Sequence, residues 1–296
     1  MNMTCPICGS DRLLMFAKRT VKNSSEIVYG YKWTPAVRKT LELQQCKQCK
    51  HVGVTNLDFS IASEYSDVAD EVYLENSDLR TSTSKSVLRV LHKYVSGGKV
   101  LDVGCGTGEF LAVASSEFEP HGIELSSWAA KISRKNVSAV SPVFFSNIFE
   151  KEISAYPEVN FDLVTMWGVI EHLQHPEAVV KDINLRMNQG GILALWTGDA
   201  GSFFARLFKS RWWYVIGQHI NLFSKKSLKI LLERNGFQLL SYQIYPYTMR
   251  LGYLSQSLNR YPVLKFFSLI LQIPLLREIR IKLYLPGEMF AIYKKL

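Results

Sequence analysis

From Ser84 onward the chain switches between two hydrophobic periods. In SKSVLRVLHKYV the apolar residues Val87, Leu88, Leu91, Tyr94 and Val95 recur at the spacing of a helix with one buried face. KVLDVG, at 99–104, is short and almost wholly apolar, as a strand covered on both faces should be. TGEFLAVASSEF reads as a helix, HGIEL (121–125) as a second strand, and SSWAAKISRK as a helix opened by serines suited to cap it. PVFF, FDLVTMW and GILALW supply three more strands, with a helix near 176–188 before the last of them. SKKSLKILLERNGF predicts a capped helix ending at Gly236, and FQLLSYQIY and GEMFAIYKKL predict two final strands. This alternation predicts an α/β domain over 84–296 with a doubly wound, mostly parallel, seven-stranded sheet.

Two stretches break the pattern. Residues 56–83 are rich in acidic residues and tyrosine without strong periodicity, and read as a linker with short helices lying over the mouth of the domain. Residues 251–286 are an apolar insertion between the last two strands, with Arg260, Lys265, Arg277 and Arg280 around KFFSLILQIPLL. Such a segment suits either a membrane surface or lipid-linked glycan, or a helical pair packed on the core or a second subunit. Pro274 interrupts any long amphipathic helix there and favours the packed pair.

The first 55 residues carry a different signal. CPIC (Cys5, Cys8) and CKQC (Cys46, Cys49) are two C-x-x-C turns, which together can surround one tetrahedral zinc ion. EIVYGYKW (26–33) and LELQQ (41–45) have strand-like composition and predict the hairpin of a zinc ribbon. Four thiolates leave no open position for a substrate, so such a metal would be structural; two unrelated thiol pairs are the alternative.

Composition narrows the rest. Of 296 residues, 47 % are hydrophobic and 21 % charged, which is the make-up of a folded chain. The net charge of +9 favours anionic partners in general, but no run of five like charges marks a nucleic-acid patch. The N-terminus lacks the basic and apolar regions of a secretory signal, and no apolar run reaches the length of a membrane span. A cytoplasmic protein is expected, peripheral to the inner membrane face if 251–286 touches lipid.

The most informative stretch is VLDVGCGTGEF, with Gly104, Gly106 and Gly108 directly after a strand. The G-x-G-x-G spacing and the acid two residues earlier, Asp102, depart from the dinucleotide fingerprint, whose pyrophosphate a carboxylate would repel. No G-x-x-x-x-G-K-[ST] is present, so the loop is not a P-loop. Asp102 and Glu109 would welcome a cation instead. On these residues the chain resembles the class I S-adenosylmethionine-dependent methyltransferases over roughly 84–245 plus the last strand. The resemblance implies that Asp102 and the three glycines hold the methionine part of the cofactor. It places Glu124, with Leu125, at the ribose, Asn147 and Ile148 at the adenine, and Trp167 and Gly168 between cofactor and acceptor.

The acceptor is less legible. The stretch after the fourth strand reads WGVIEHLQHP, without the [ND]-P-P-[YF] signature of base-amine methylation, and VIEHL is similar to the ubiquinone-type O-methyltransferases. A hydroxyl nucleophile must lose a proton, usually to a histidine or carboxylate. Glu171, His172 and His219 are the candidates. His219 is open to two readings, a base facing the donor or a packed residue closing the turn before the Ser224 cap. Beside it Trp212, Trp213 and Tyr214 suggest a wall for a ring-shaped acceptor. The cysteine head together with this core looks like bacterial enzymes that decorate glycans, nucleotide sugars or secondary metabolites. O-methylation of a sugar or other small hydroxylated molecule is the leading expectation; C-methylation of a nucleotide sugar and methylation of RNA are the alternatives.

Overall fold

The computed structural model describes residues 4–23, 26–30, 39–54, 68–137, 160–258 and 265–296. Near the N-terminus, strands β1 (Leu13–Ala17), β2 (Leu43–Cys46) and β3 (Val52–Val54) form antiparallel pairs. The first ribbon strand is therefore LLMFA and not EIVYGYKW. Glu26–Gly30 form an irregular loop, and 31–33 lie outside the described residues. Leu14 and Met15 are exposed, so this strand shows no one-sided alternation that would mark it in the sequence.

Helices α1 (Glu71–Leu74) and α2 (Ser77–Leu91) lead into the main sheet. Helix α2 buries Val87, Leu88 and Leu91 on the expected face, but it starts seven residues before Ser84, within the stretch read as a linker. Then follow β4 (Gly98–Val103), α3 (Glu109–Ala114), β5 (Phe118–Ile123) and α4 (Ser127–Asn136). Ser126 caps α4 by accepting the Ala129 N–H, which meets one of the donors a helix start leaves open. Strand β6 (Phe161–Trp167), helix α5 (Pro176–Leu185) and strand β7 (Met187–Gly198) continue the alternation. The C-terminal part adds α6 (Phe203–Phe208), β8 (Asn221–Leu222), α7 (Lys225–Arg234), β9 (Phe237–Gln243) and β10 (Pro246–Arg250). Helices α8 (Leu251–Leu258), α9 (Lys265–Ile270) and α10 (Pro274–Arg277) precede β11 (Arg280–Tyr284) and β12 (Glu288–Lys295).

Six strands of the main sheet fall in the described residues, in the order β5-β4-β6-β7-β12-β9. The first four are parallel, while β12 runs antiparallel to both β7 and β9. The PVFF strand expected as a seventh lies outside the described residues. Parallel β4, β6 and β7 are buried along most of their length, which is why they read as unbroken apolar runs. The order reverses at β4, between β5 and β6, so the loops after these strands open on one crevice, where α/β sheets bind ligands.

Two features were not legible in the periodicity. Strand β8 joins the ribbon and not the main sheet, giving a four-stranded sheet in the order β1-β2-β3-β8. Strand β11 at the end of the apolar insertion pairs antiparallel with β10, which directly precedes the insertion, and the helices between them leave Phe266, Leu269 and Leu275 roughly 70–83 % exposed. Among the described residues, no helix is long and apolar enough to cross a membrane.

Candidate functional site

At two of its three glycines the turn after β4 has no room for a side chain. At Gly104 (φ 76°) a β-carbon would stand 2.5 Å from the Val169 side chain, and at Gly108 (φ 87°) 2.5 Å from Ser133 Oγ. Gly106 is different. Its open side faces the Tyr73 hydroxyl at 3.5 Å, and its N–H donates to Glu124 Oε2 at 2.8 Å. The other carboxylate oxygen of Glu124 accepts from Ser126 N–H at 2.8 Å, so the acid ending β5 is aimed back across the glycine turn. Leu125 beside it is buried. Asp102, 1 % exposed, accepts the Thr165 hydroxyl at 2.6 Å. Burial pushes its carboxyl up to about 8, against the Thr165 bond, and the charges of Glu124 and Glu109 push in the same direction.

Three buried acids thus share one crevice, and the described cation among them is Arg80. Glu109 does not face the crevice freely, as its sequence position implied: its Oε1 pairs with Arg80 at 2.5 Å, and Thr107 Oγ donates to it at 2.7 Å. Arg80 also donates to the Tyr73 carbonyl at 2.6 Å and lies 3.5 Å from the Tyr73 ring centroid. Ser126 Oγ donates to the Val68 carbonyl, which seats the segment before α1 over the start of α4. Tyr73 and Arg80 were not picked out by the sequence, because only the docking of α1 and of the start of α2 brings them to the glycine turn. A crevice with Asp102 and Glu124 in excess of positive charge fits a cationic cofactor such as S-adenosylmethionine, whose sulfonium and ammonium groups would lower the energy of both carboxylates. Asn147 and Ile148 lie outside the described residues.

The second group of predicted residues does come together. Glu171, His172 and His219 each place one donor atom within 4.8 Å of the others. Glu171 and His172 sit on a short turn after β6 (Ile170–His172), and His219 sits just before β8. The His219 and His172 ring centroids are 4.7 Å apart. His219 Nδ1 lies 2.7 Å from the Tyr214 carbonyl, an acceptor only, so in the neutral ring Nδ1 carries the proton and Nε2 is the basic nitrogen. His172 Nδ1 bonds the Gln218 carbonyl at 2.9 Å. Burial holds both rings neutral: His172 falls to about 4, and His219 drops well below its usual value, with the neighbouring His172 adding to the effect. Glu171 accepts from Tyr214 Oη at 2.5 Å and Thr197 Oγ at 2.9 Å, and burial raises its carboxyl to about 7.

Aromatic rings separate this cluster from the cofactor end. Trp167 and Trp196 are directly paired in the β6–β7 register, and Trp196 stacks on Tyr245 with centroids 4.9 Å apart. Trp167 packs against Phe110, Tyr245 and Phe290, and its buried Nε1 has no acceptor among the described residues. At Gly168 a β-carbon would come within 2.9 Å of the Trp196 ring, so the backbone must pass bare over this wall. Glu288, buried on β12, accepts from Trp196 Nε1 at 2.9 Å and from Trp213 Nε1 at 3.1 Å, which fixes both indoles. Trp212 is not part of the wall. It is 1 % exposed and packs with Ala17, Leu43, Val52 and Leu222 in the core under the ribbon. Glu288, Trp196, Tyr245 and Tyr247 carry no local motif; the antiparallel insertion of β12 beside β7 is what assembles them.

In the ribbon, the four cysteines form one cluster. Cys5 and Cys49 Sγ are 3.6 Å apart, as are Cys8 and Cys46 Sγ, and all four sulfurs lie within 4.8 Å of one another. A tetrahedral zinc with bonds of about 2.3 Å has sulfur–sulfur edges of about 3.8 Å, so the donor set fits such an ion. Contact between Cys5 and Cys49 lowers the Cys5 thiol and raises that of Cys49, so the pair holds one proton between them.

A family model for a methyltransferase domain matches residues 76–242. Ubiquinone biosynthesis O-methyltransferase from Chromobacterium violaceum is 26 % identical over 146 residues, covering 47 % of this chain and 62 % of that protein. The protein of the same name from Thiobacillus denitrificans is 28 % identical over 144 residues, with the same coverage of both. The match thus spans less than two thirds of these relatives. A solved S-adenosylmethionine-dependent methyltransferase from Archaeoglobus fulgidus matches with a TM-score of 0.51 at 20 % identity, over 76 % of this chain and 100 % of that one; the fold is shared.

Proposed function

This chain belongs to the methyltransferase-domain family, and from that premise we propose that it methylates a hydroxyl of a small ring-shaped acceptor, a sugar or glycan unit in the first instance, with S-adenosylmethionine as donor. The observation that carries the hydroxyl is the His219 ring, neutral, with its proton held on Nδ1 by the Tyr214 carbonyl and Nε2 left as base. An amine acceptor can be methylated from its neutral form without such a base; a hydroxyl needs its proton removed as the new bond forms.

The cofactor supplies an electrophilic methyl on a sulfonium. Glu124 and Leu125 would hold its ribose, and Asp102 with Gly104, Gly106 and Gly108 its methionine part. The residues of the chain then do three things. Trp167, Gly168, Trp196 and Tyr245 flatten and dry the approach to the acceptor, which aligns an in-line displacement and keeps water out. His219 Nε2 takes the hydroxyl proton. Glu171, when ionised, favours the imidazolium that forms, while His172 beside it helps keep the resting His219 ring neutral. The four cysteines hold a structural zinc in this reading, with no part in the chemistry. Exposed Leu269 and Leu275 on the insertion support an acceptor in lipid-linked form.

The test offers methyl-labelled S-adenosylmethionine with two panels, sugar nucleotides and lipid-linked sugars on one side and catechols on the other. Label in an alkali-stable methyl ether of a sugar supports the proposal. Label only in the catechols moves the acceptor class to phenols, and label on carbon or nitrogen sinks the hydroxyl reading.

A further inference from the structure

The ribbon is more tightly bound to the catalytic cluster than a separate head would be. Strand β8, which begins two residues after His219, is the fourth strand of the ribbon sheet: Val52 pairs with Leu222 and Gly53 with Asn221. The Ile220 carbonyl accepts from Val54 N–H at 3.0 Å, while Ile220 N–H donates to the Glu171 carbonyl at 3.0 Å. Asn221 Nδ2 donates to the Leu173 carbonyl at 2.6 Å. Residues 220–222 are thus held between the Glu171–His172 turn on one side and the ribbon on the other.

A second tie runs through Gln218. Its side-chain amide makes two bonds to one ribbon residue, accepting from Gly30 N–H at 3.3 Å and donating to the Gly30 carbonyl at 3.2 Å. Its own carbonyl holds His172 Nδ1. Gly217 lies so close to the Lys39 carbonyl of the ribbon that no side chain fits there. Beyond β8, Ser224 Oγ donates to the Cys49 carbonyl at 2.5 Å and Lys226 Nζ to the Gln48 carbonyl at 2.9 Å, both in the second C-x-x-C turn. The segment 217–226 therefore touches the ribbon at Gly30, Lys39, Gln48, Cys49, Val52, Gly53 and Val54, and in the same ten residues carries His219 and holds His172.

We infer that the metal-bound ribbon is a positioning element for the two histidines, acting through Gln218 and strand β8, so that loss of the ribbon's metal disables the proton-accepting cluster while leaving the cofactor crevice formed. This rests on the base reading of His219 above. The physical reason is the unequal support of the two ends. The cofactor turn is held by β4, β5 and α2, and none of its hydrogen bonds described above involves the ribbon. Among the described residues β8 pairs with no strand of the main sheet. Away from the ribbon its segment is held by the bonds to Glu171 and Leu173 and by the Phe223 carbonyl accepting from Ala200 N–H. At two residues β8 is too short to persist as a strand once β3 leaves it. The ribbon in turn is a small sheet whose folding free energy comes largely from its metal.

The experiment compares the zinc-loaded full chain with the same chain after chelation, reading three quantities. Amide exchange at Ile220, Asn221 and Leu222 is expected to speed up by about tenfold or more, as for local opening, while Leu101, Val164 and Leu193 stay protected. Nitrogen-15 spectra of His219 are expected to move from the Nδ1–H form to the Nε2–H form favoured by an imidazole in water. Binding of S-adenosylmethionine by calorimetry is expected to stay within about twofold, since the crevice keeps its partners. Unchanged exchange at 220–222 with the Nδ1–H form retained would overturn the inference. So would simultaneous loss of protection in the main sheet, which would make the ribbon a general stabiliser. In the zinc-loaded protein, Gln218→Ala should perturb the His172 signals without releasing zinc, and unchanged signals count against the Gln218 tie. The parent reading fails separately: it falls if zinc-loaded His219→Asn turns over normally on the labelled acceptor, whatever the exchange data show.

Discussion

The two ends of the crevice are built by different means. At the cofactor end, Asp102, Gly104, Gly106, Gly108 and Glu124 lie within 23 positions, and their contacts are mostly backbone N–H to carboxylate across one strand–turn–helix–strand unit. At the other end, Glu171, His172, Trp196, His219, Tyr245 and Glu288 come from five places in the chain and meet through side chains. A local unit forms its geometry with little dependence on distant parts. An assembled one inherits the position of every element that feeds it, and here one of those elements is the ribbon. Damage to the first should show in binding, and damage to the second in turnover.

The largest effect should come from the assembled end. His219→Asn removes the basic nitrogen while keeping a polar side chain, and turnover should fall by roughly 10²–10⁴-fold, the usual value of a general base. Binding of S-adenosylmethionine and the melting temperature should stay near wild type; a joint collapse of folding and turnover would make His219 a scaffold residue. At the local end, Glu124→Ala should weaken cofactor binding by about 1.5–3 kcal/mol, roughly tenfold to a hundredfold in Kd by calorimetry. Unchanged affinity would remove the ribose assignment. Gly108→Ala forces a β-carbon to φ 87° and to within 2.5 Å of Ser133 Oγ, so the melting transition should drop by about 1–3 kcal/mol in stability.

The smallest effect is in pH. Glu171 and Glu288 are both raised by burial to about 7, from 4.5 for a free glutamate. A carboxyl whose pKa rises on folding binds more protons in the folded state. Its contribution is most favourable below about 4.5 and is lost as pH climbs through 7. Thermal melts of wild type and Glu288→Gln across this window should therefore diverge, wild type losing more stability toward high pH. Parallel curves would mean that Glu288 keeps an ordinary pKa. For turnover, the neutral histidines demand no change in this range, so an acid limb near 7 would report Glu171, and Glu171→Gln should flatten it.

Legibility followed the range of the contacts. The parallel strands were readable because burial on both faces leaves an apolar run, and the cysteines because ligand spacing is local. Strand β1 was not, since Leu14 and Met15 face solvent within an apolar pentapeptide. Helix α2 was placed too late, because its first two turns bury few apolar residues and are held by polar pairs such as Arg80 with Glu109. The Trp212–Tyr214 run illustrates the limit within three residues: Trp212 is core, Trp213 bonds Glu288 and Tyr214 bonds Glu171. Composition alone gives all three the same reading.

By itself the sequence determined that a glycine turn meets two acids, and that four thiols meet. Both follow from short-range geometry, where residue type and spacing nearly fix the contacts. Only the tertiary structure decided that His219 carries its proton on Nδ1, that Glu288 anchors two tryptophans, and that the ribbon supplies the strand that pairs with the segment after His219. Those facts depend on which carbonyl, indole or strand edge lies opposite across the packed interior, and packing between distant segments leaves no periodic mark in either partner.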